Sequence, residues 1–329
     1  MARIAWHNGA FIAEAAVRVD FRDRGFTLGD GCFDTARTFG GKPYLFAEHI
    51  ARLYNSLSLL GIEPGFGPER MLEHTLELVA RNELFRGSND DWWVTQWVSR
   101  GIRADDRGSG ASVPTVIIEC SPLPFESRCE LVRDGADIVT SNVRRPVQYG
   151  VNPNIKSISY LNLVLADLEV QARAPGAWSL ALDESGHLNE GLGSNVFLVR
   201  DGGLFTPRAA CVLPGLTRKT VMELAGQLAI PVAEADLTLA DADAADEAFI
   251  TSTSLCILPA RSFNGRWLGQ KGSDPLVENS TKSMANVQRG LTPPGVPGAV
   301  TQALIVAFQE VLGGFDFRGQ YLRQGVART

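Results

Sequence analysis

Strand-like and helical patterns alternate along most of the chain, and the alternation breaks at residues 121–136, SPLPFESRCELVRDGA, which hold two prolines and no sustained period. The break predicts two α/β domains in an α+β protein: a smaller N-terminal one over 1–120, a connection over 121–136, and a larger C-terminal one over 137–329. In the first, apolar residues recur every three or four positions over 47–60 and 68–83, the period of helices. WWVTQWV (92–98) and VPTVIIEC (113–120) read as strands around the polar, glycine-bounded SRGIRADDRGSG, and Asn8-Gly9 reads as a tight turn between two short strands. Beyond residue 137, the runs ADIVTSNV, WSLALDE, NVFLVRD and EAFITSTS are strand-like, while 161–173 and 217–228 are helical. The pattern weakens after Phe263 and recovers in an amphipathic helix over 299–312.

Bulk properties exclude several classes of function. The 329 residues carry 31 Lys+Arg against 37 Asp+Glu, a net charge of −6, and no stretch gathers basic residues into a field for phosphate backbones, so nucleic acid is not an expected partner. No apolar window reaches the roughly 18 to 20 residues needed to cross a bilayer. The start, MARIAWHNGAFIAEAAVRVDF, lacks the apolar run of an export signal, so the expectation is a soluble cytoplasmic protein with no membrane partner. Cys32, Cys120, Cys129, Cys211 and Cys256 are scattered and odd in number, which reads as reduced thiols. His7, His49, His74 and His187 lack metal-ligand spacing and read as surface or capping residues, so no metal is expected.

Chemistry concentrates in four places. VNPNIKSISYLNLVLADLE sets Lys156 and Tyr160 four residues apart at the entrance to a helix, where both can face one pocket. Ile155 and Ile158 favour partial burial of the lysine, which makes its neutral amine accessible and able to form a Schiff base. Taken alone, the segment is explained more simply by a solvated or salt-bridged lysine. In GHLNEGLGSNVFLV, Glu190 lies in a glycine-rich turn before an apolar strand; a carboxylate fixed there can keep a pyridine nitrogen protonated, so that the ring accepts electrons. An exposed turn glutamate is the plain alternative. CVLPGLTRKTVMELAGQL is a strand end, a Pro-Gly turn and a helix start near Thr217, whose free amides suit a phosphate. Thr251, Ser252, Thr253 and Ser254 form a hydroxyl cluster that can complete an anion site, and a structural turn explains either feature.

Lysine, glutamate, helix start and hydroxyl cluster follow one another at about 34, 27 and 36 residues. In that order the chain resembles the class IV aminotransferases, the group holding branched-chain and D-amino-acid aminotransferases, (R)-amine transaminases and aminodeoxychorismate lyase. The resemblance runs from about Ala5 to Pro259. It implies fold type IV with the site at the domain interface, a homodimer, and pyridoxal 5'-phosphate as cofactor. It further implies Lys156 as the lysine carrying the cofactor, Glu190 as partner of the pyridine nitrogen, and Tyr160 as a donor near the phenolic oxygen. Arg52 in EHIARL, the amides of Leu216 and Thr217, and the hydroxyls of Ser252 and Thr253 are the implied phosphate ligands.

The implied reaction is ping-pong transfer of an amino group from an amine or amino acid to a 2-keto acid, with Lys156 moving the proton. Substrate positions are mixed. Phe33 in LGDGCFDTAR matches branched-chain enzymes, where D-amino-acid and (R)-amine enzymes have tyrosine. The branched-chain pattern also places a tyrosine and an arginine two apart on the strand that reads Trp93-Val94-Thr95 here, so the arginine's place falls to Thr95. SRGIRADDRG resembles the threonine-arginine-glycine loop of D-amino-acid and (R)-amine enzymes, without their arginine-x-histidine pair. Arg103, Arg107 and Arg37 are candidates for a substrate carboxylate, Ser254 a candidate contact, and Phe33, Trp93 and Trp97 suit an apolar group, though exposed loop charges and core packing explain these types too. The expected donor is therefore a D-amino acid or (R)-primary amine, with pyruvate or 2-oxoglutarate as acceptor. Branched-chain L-amino acids are the alternative, and elimination by an aminodeoxychorismate-lyase-like enzyme the second.

Overall fold

The computed structural model describes residues 2–103, 113–145, 152–269 and 296–325. The chain divides into two compact units: one of residues 1–124 and 154–160, the other of 125–153 and 161–329. The Lys156 segment thus clusters with the N-terminal unit, although it lies beyond the expected connection.

The first unit is a six-stranded antiparallel sheet with two long helices. Strands β1 (Ile4–His7) and β2 (Ala10–Ala13) form the hairpin expected at Asn8-Gly9, both of whose φ are positive. Then come helix α1 (Arg24–Leu28), strands β3 (Gly31–Phe39) and β4 (Lys42–Tyr44), helices α2 (Phe46–Leu60) and α3 (Pro68–Asn82), and strands β5 (Trp92–Ile102) and β6 (Val113–Pro122). The sheet order is β2-β1-β6-β5-β3-β4. Alternation divides its faces: Cys32, Ala36, Val94, Val98, Val116 and Ile118 enter a core with Ile50, Leu53 and Leu57 of α2 and Met71 and Leu78 of α3. The intervening residues, Phe33, Thr35 and Arg37 of β3 among them, face the opposite side. Beside the N-terminal half of β3 the sheet is completed by residues 156–158: Phe33 N–H donates to Lys156 C=O at 3.0 Å, Ile158 N–H to Gly31 C=O at 3.1 Å, and Cys32 pairs with Ser157. These bonds satisfy backbone groups that β4 is too short to reach.

The second unit is built on a nine-stranded mixed sheet. Its elements are α4 (Phe125–Asp134), β7 (Ala136–Arg145), α5 (Leu161–Arg173), β8 (Trp178–Asp183), β9 (Glu190–Gly191), β10 (Ser194–Arg200) and β11 (Gly203–Pro207). They continue with α6 (Leu216–Gln227), β12 (Val232–Ala235), α7 (Leu239–Asp243), β13 (Glu247–Ser252), β14 (Cys256–Phe263), β15 (Arg266–Trp267), α8 (Ala299–Val311) and α9 (Phe317–Gly325). Strand order is β12-β11-β10-β13-β14-β7-β8, with β9 beside β10 and β15 beside β14. The run SNVFLV of β10 is buried throughout, and Phe197 stacks on Phe249 of β13 with ring centres 4.9 Å apart. Helix α4 lies within the stretch expected as the connection; only Phe125, Cys129 and Val132 of it are buried, too few positions to carry a visible period.

Candidate active site

In the first unit, Lys156 is 8% exposed; its Nζ donates to the Tyr160 hydroxyl at 3.0 Å and lies 4.6 Å from the Phe33 ring centre. Helical spacing does not bring the pair together as expected. Residues 157–160 are extended and turn-like, with Tyr160 N–H donating to Ile158 C=O at 3.0 Å, and α5 starts one residue later. The Lys156 amide donates to the Ser56 hydroxyl of α2 at 3.1 Å, so the lysine is pinned from β3 and α2 at once. Among the described residues no carboxylate pairs with Lys156.

On the α2 side of β3, Asp34 is fully buried and accepts from Arg52 Nε and Nη2 at 2.7 Å each, from the Thr35 amide at 2.8 Å, and from His49 Nδ1 at 2.7 Å. Burial alone would raise the Asp34 carboxyl, but the Arg52 guanidinium and the His49 imidazole hold it well below the usual carboxylate range. Burial pushes His49 below its ordinary value despite Asp34. His49 is therefore a buried partner of Asp34, and its expected surface or capping role is corrected. Arg52, the implied phosphate ligand, is oriented by a bidentate pair that fixes its guanidinium plane.

The opposite face of the sheet forms a shelf whose register is continuous across three strands. Phe33 faces Trp97 and Trp97 faces Ile117; Thr35 faces Thr95 and Thr95 faces Glu119; Arg37 faces Trp93 and Trp93 faces Ser121. The Phe33 and Trp97 rings stack with centres 4.7 Å apart, and Phe33 meets Tyr160 edge-on at 5.3 Å. The Thr35 and Thr95 hydroxyls are 3.1 Å apart. Trp97 Nε1 donates to Glu119 at 2.8 Å. The structure thus brings Lys156, Tyr160, Phe33, Thr95 and Trp97 together.

Arg37 shares that face but is committed: fully buried, 3.5 Å from Asp91, bonded through Nε to Thr38 C=O and lying 4.0 Å from the Phe39 ring centre. These contacts hold it as a strut at the β3–β4 end. Arg103 is exposed just past β5, and Arg107 lies outside the described residues.

In the second unit, Glu190 is 5% exposed and heavily bonded. It pairs with Arg145 at 2.7 Å and accepts from the Leu213 amide at 3.0 Å and Asn195 Nδ2 at 3.4 Å. Asn195 also donates to Leu213 C=O at 3.1 Å, tying β10 to the turn before α6. Leu216 and Thr217 open α6, which has no side-chain cap at Gly215, so its first amides suit an anion. A Cβ on Gly215 would meet Asn195 Oδ1 at 2.2 Å. Ser252 ends β13 and Thr253 opens the turn to β14; Ser254 is buried and accepts from Arg128 at 2.6 Å. Ser254 is therefore held by its own unit.

Asp34, Arg145, Asn195, Thr35 and Glu119 were not foreseen. Asp34 had a signal, an acid at an inward position of an alternating strand, matched by His49 and Arg52 one helical turn apart. Arg145 had none. Each unit's donor set by itself fits part of a phosphorylated pyridine aldehyde: in the first, a buried amine with no acid partner among the described residues; in the second, a fixed carboxylate and an uncapped helix start.

Comparison with known proteins agrees. Residues 31–263 match the family model for amino-transferase class IV. A Methanocaldococcus jannaschii protein, named as a candidate branched-chain-amino-acid aminotransferase, is 36% identical over 269 residues, 80% of this chain and 89% of that one. The D-alanine aminotransferase of Bacillus licheniformis is 28% identical, over 85% of this chain and 95% of its own. Among solved structures, the branched-chain aminotransferase of the archaeon Thermoproteus uzoniensis with norvaline superposes with a TM-score of 0.75 at 25% identity, covering 98% of each chain. A second branched-chain amino acid aminotransferase, solved with pyridoxamine 5'-phosphate, superposes with a TM-score of 0.77 at 26% identity, covering 97% of this chain and 98% of its own.

Proposed function

The chain belongs to the class IV aminotransferases, and from that premise we propose that it moves the amino group of a donor with an apolar side chain to a 2-keto acid, with Lys156 as the catalytic amine. The family depends on pyridoxal 5'-phosphate, which supplies an aldehyde and an electron-accepting ring when bound. The observation that carries the reading is the buried Lys156 amine, set against the Phe33 ring beside Tyr160 with no carboxylate partner among the described residues. In this reading Lys156 would hold the cofactor, and its amine would take and return the substrate proton as base and acid. Tyr160 orients that amine, Glu190 holds a proton on the ring nitrogen, and Arg52, the Leu216 and Thr217 amides, Ser252 and Thr253 bind the phosphate.

Handedness is drawn two ways. Thr95, facing Thr35 where branched-chain enzymes are expected to carry arginine, favours a D-amino acid or (R)-primary amine. Phe33 and the identity with the archaeal protein favour branched-chain L-amino acids. Adding D-alanine, L-leucine or (R)-1-phenylethylamine to holoenzyme, and following conversion of the cofactor to its amino form by absorbance, separates the two. Conversion by none of them sinks the transfer reading, as does failure of borohydride to fix the cofactor on Lys156.

We also read the protein as a homodimer, on the exposed apolar stripe of α5. A cytoplasmic setting suits its five cysteines, which form no disulfide, and burial pushes the Cys32 and Cys120 thiols up to about 12.

A further inference from the structure

We infer that Glu119, in one row with Thr35 and Thr95, makes the far end of the substrate shelf a region that disfavours a second carboxylate, so that donors and acceptors with apolar side chains are selected over dicarboxylic ones. The inference deepens the transaminase reading and rests on Lys156 marking the reacting end of the shelf.

The register fixes the geometry. Thr35, Thr95 and Glu119 form one lateral row on the same face as Lys156 and Phe33. Neighbouring strands lie ~4.8 Å apart, so the Glu119 backbone stands roughly two strand spacings, ~10 Å, beyond that of β3. Its carboxylate is held, not floppy: Trp97 donates to it at 2.8 Å, and the Ser121 hydroxyl lies 3.4 Å away. The same Trp97 ring stacks on Phe33, against which the Lys156 amine rests.

Glu119 and Trp97 also line a cavity of about 380 Å³ within the first unit, walled by Val19, Phe26 and Ile158 and by a second carboxylate, Asp23. Asp23 is buried, and its oxygens accept from the Gly25 amide and the Thr115 hydroxyl. No lysine or arginine is among the described lining residues. Two cations of the same unit are engaged with other acids, Arg37 with Asp91 and Arg3 with Glu14. A ligand carboxylate arriving here would lose water, meet two fixed negative charges and gain no counter-charge from the described lining residues, whereas an apolar chain loses nothing by entering. The arginine that branched-chain enzymes are expected to carry at position 95 would reverse this balance, and threonine cannot.

The test uses holoenzyme and two unreactive ligands, glutarate and hexanoate, with 2-oxoglutarate and 2-oxohexanoate as the corresponding acceptors. Hexanoate should bind wild type the tighter. Glu119→Gln keeps an acceptor for Trp97 while removing the charge, and should shift the glutarate-to-hexanoate ratio of Kd by about tenfold in favour of glutarate, the size of one screened like-charge contact. Thr95→Arg should shift it in the same direction, and kcat/KM for the two acceptors should follow. A ratio unmoved in both variants overturns the inference. A ratio that moves while neither keto acid is turned over leaves the subsite standing and removes the transfer reading instead.

Discussion

Asp34 is the residue on which the lysine side of the site is most tightly built, because it is the carboxylate that Arg52 and His49 both face. Replacing it by Asn removes the buried negative charge that faces the partly buried Arg52 guanidinium and keeps a single neutral acceptor, which should cost about 3–5 kcal/mol in denaturant unfolding. A loss under 1 kcal/mol would mean that the pair is not organising the site. His49 sets a pH dependence. Burial lowers its folded pKa, so the unfolded chain binds a proton near the ordinary value of ~6.5 that the folded chain refuses. Stability is therefore full above that pH and declines as pH falls below it, by up to ~1.4 kcal/mol per unit until the folded pKa is reached. His49→Gln should flatten unfolding free energy measured between pH 7 and 5; an equal slope in the variant would place the effect elsewhere. Lys156, Tyr160 and Glu190 were legible because their types and order are unusual together. Glu119 and Asp34 were not, since a carboxylate on a strand becomes informative only once register says which hydroxyl, ring or guanidinium stands opposite.

At the scale of elements, long helices and alternating strands were readable from period alone: 47–60 and 68–83 correspond to α2 and α3, and 161–173 coincides with α5. What sequence hid were elements defined by long-range partners. Residues 156–158 look like the approach to a helix, yet they pair with β3 because that edge offers unmatched backbone groups. Helix α4 was masked by Pro122 and Pro124, which sit just before it and read as breakers although they only mark its start. The start of α6 carries a prediction of its own. Gly215 has φ −63, so no backbone strain favours glycine there; its need is space, since a Cβ would meet Asn195 Oδ1 at 2.2 Å. Gly215→Ala should push Asn195 off Leu213 C=O and disturb Glu190, and overpacking of this kind typically costs about 1–3 kcal/mol. Cofactor affinity should fall roughly tenfold or more by equilibrium dialysis, and the melting temperature of apoprotein should fall by several degrees. Unchanged affinity would show that neither the helix start nor Asn195 shapes the cofactor site.

For the whole molecule, composition predicted an ordinary globular chain but not which surface it presents to others. We propose that α5 carries that surface. Leu163, Ala166 and Val170 turn inward, while Leu161, Val164, Leu165 and Leu168 are exposed by 69%, 39%, 47% and 60%. Spacings of three and four residues put these four on one stripe, which is what a helix shows when two of its faces are apolar and its own fold covers only one. A contiguous apolar patch of this kind marks an association surface, and in a self-complementary dimer one stripe meets its own copy, so each substitution acts twice. Leu165→Glu with Leu168→Glu would place four carboxylates across such an interface. Sedimentation equilibrium should then read two chains per particle for the parent protein and one for the double variant, with the far-ultraviolet circular dichroism of both alike. A parent that sediments as one chain, or a variant that still sediments as two, would rule out α5 as the dimer seam. Loss of activity in the monomeric variant, beyond what its folding explains, would further mean that the catalytic centre needs the second copy.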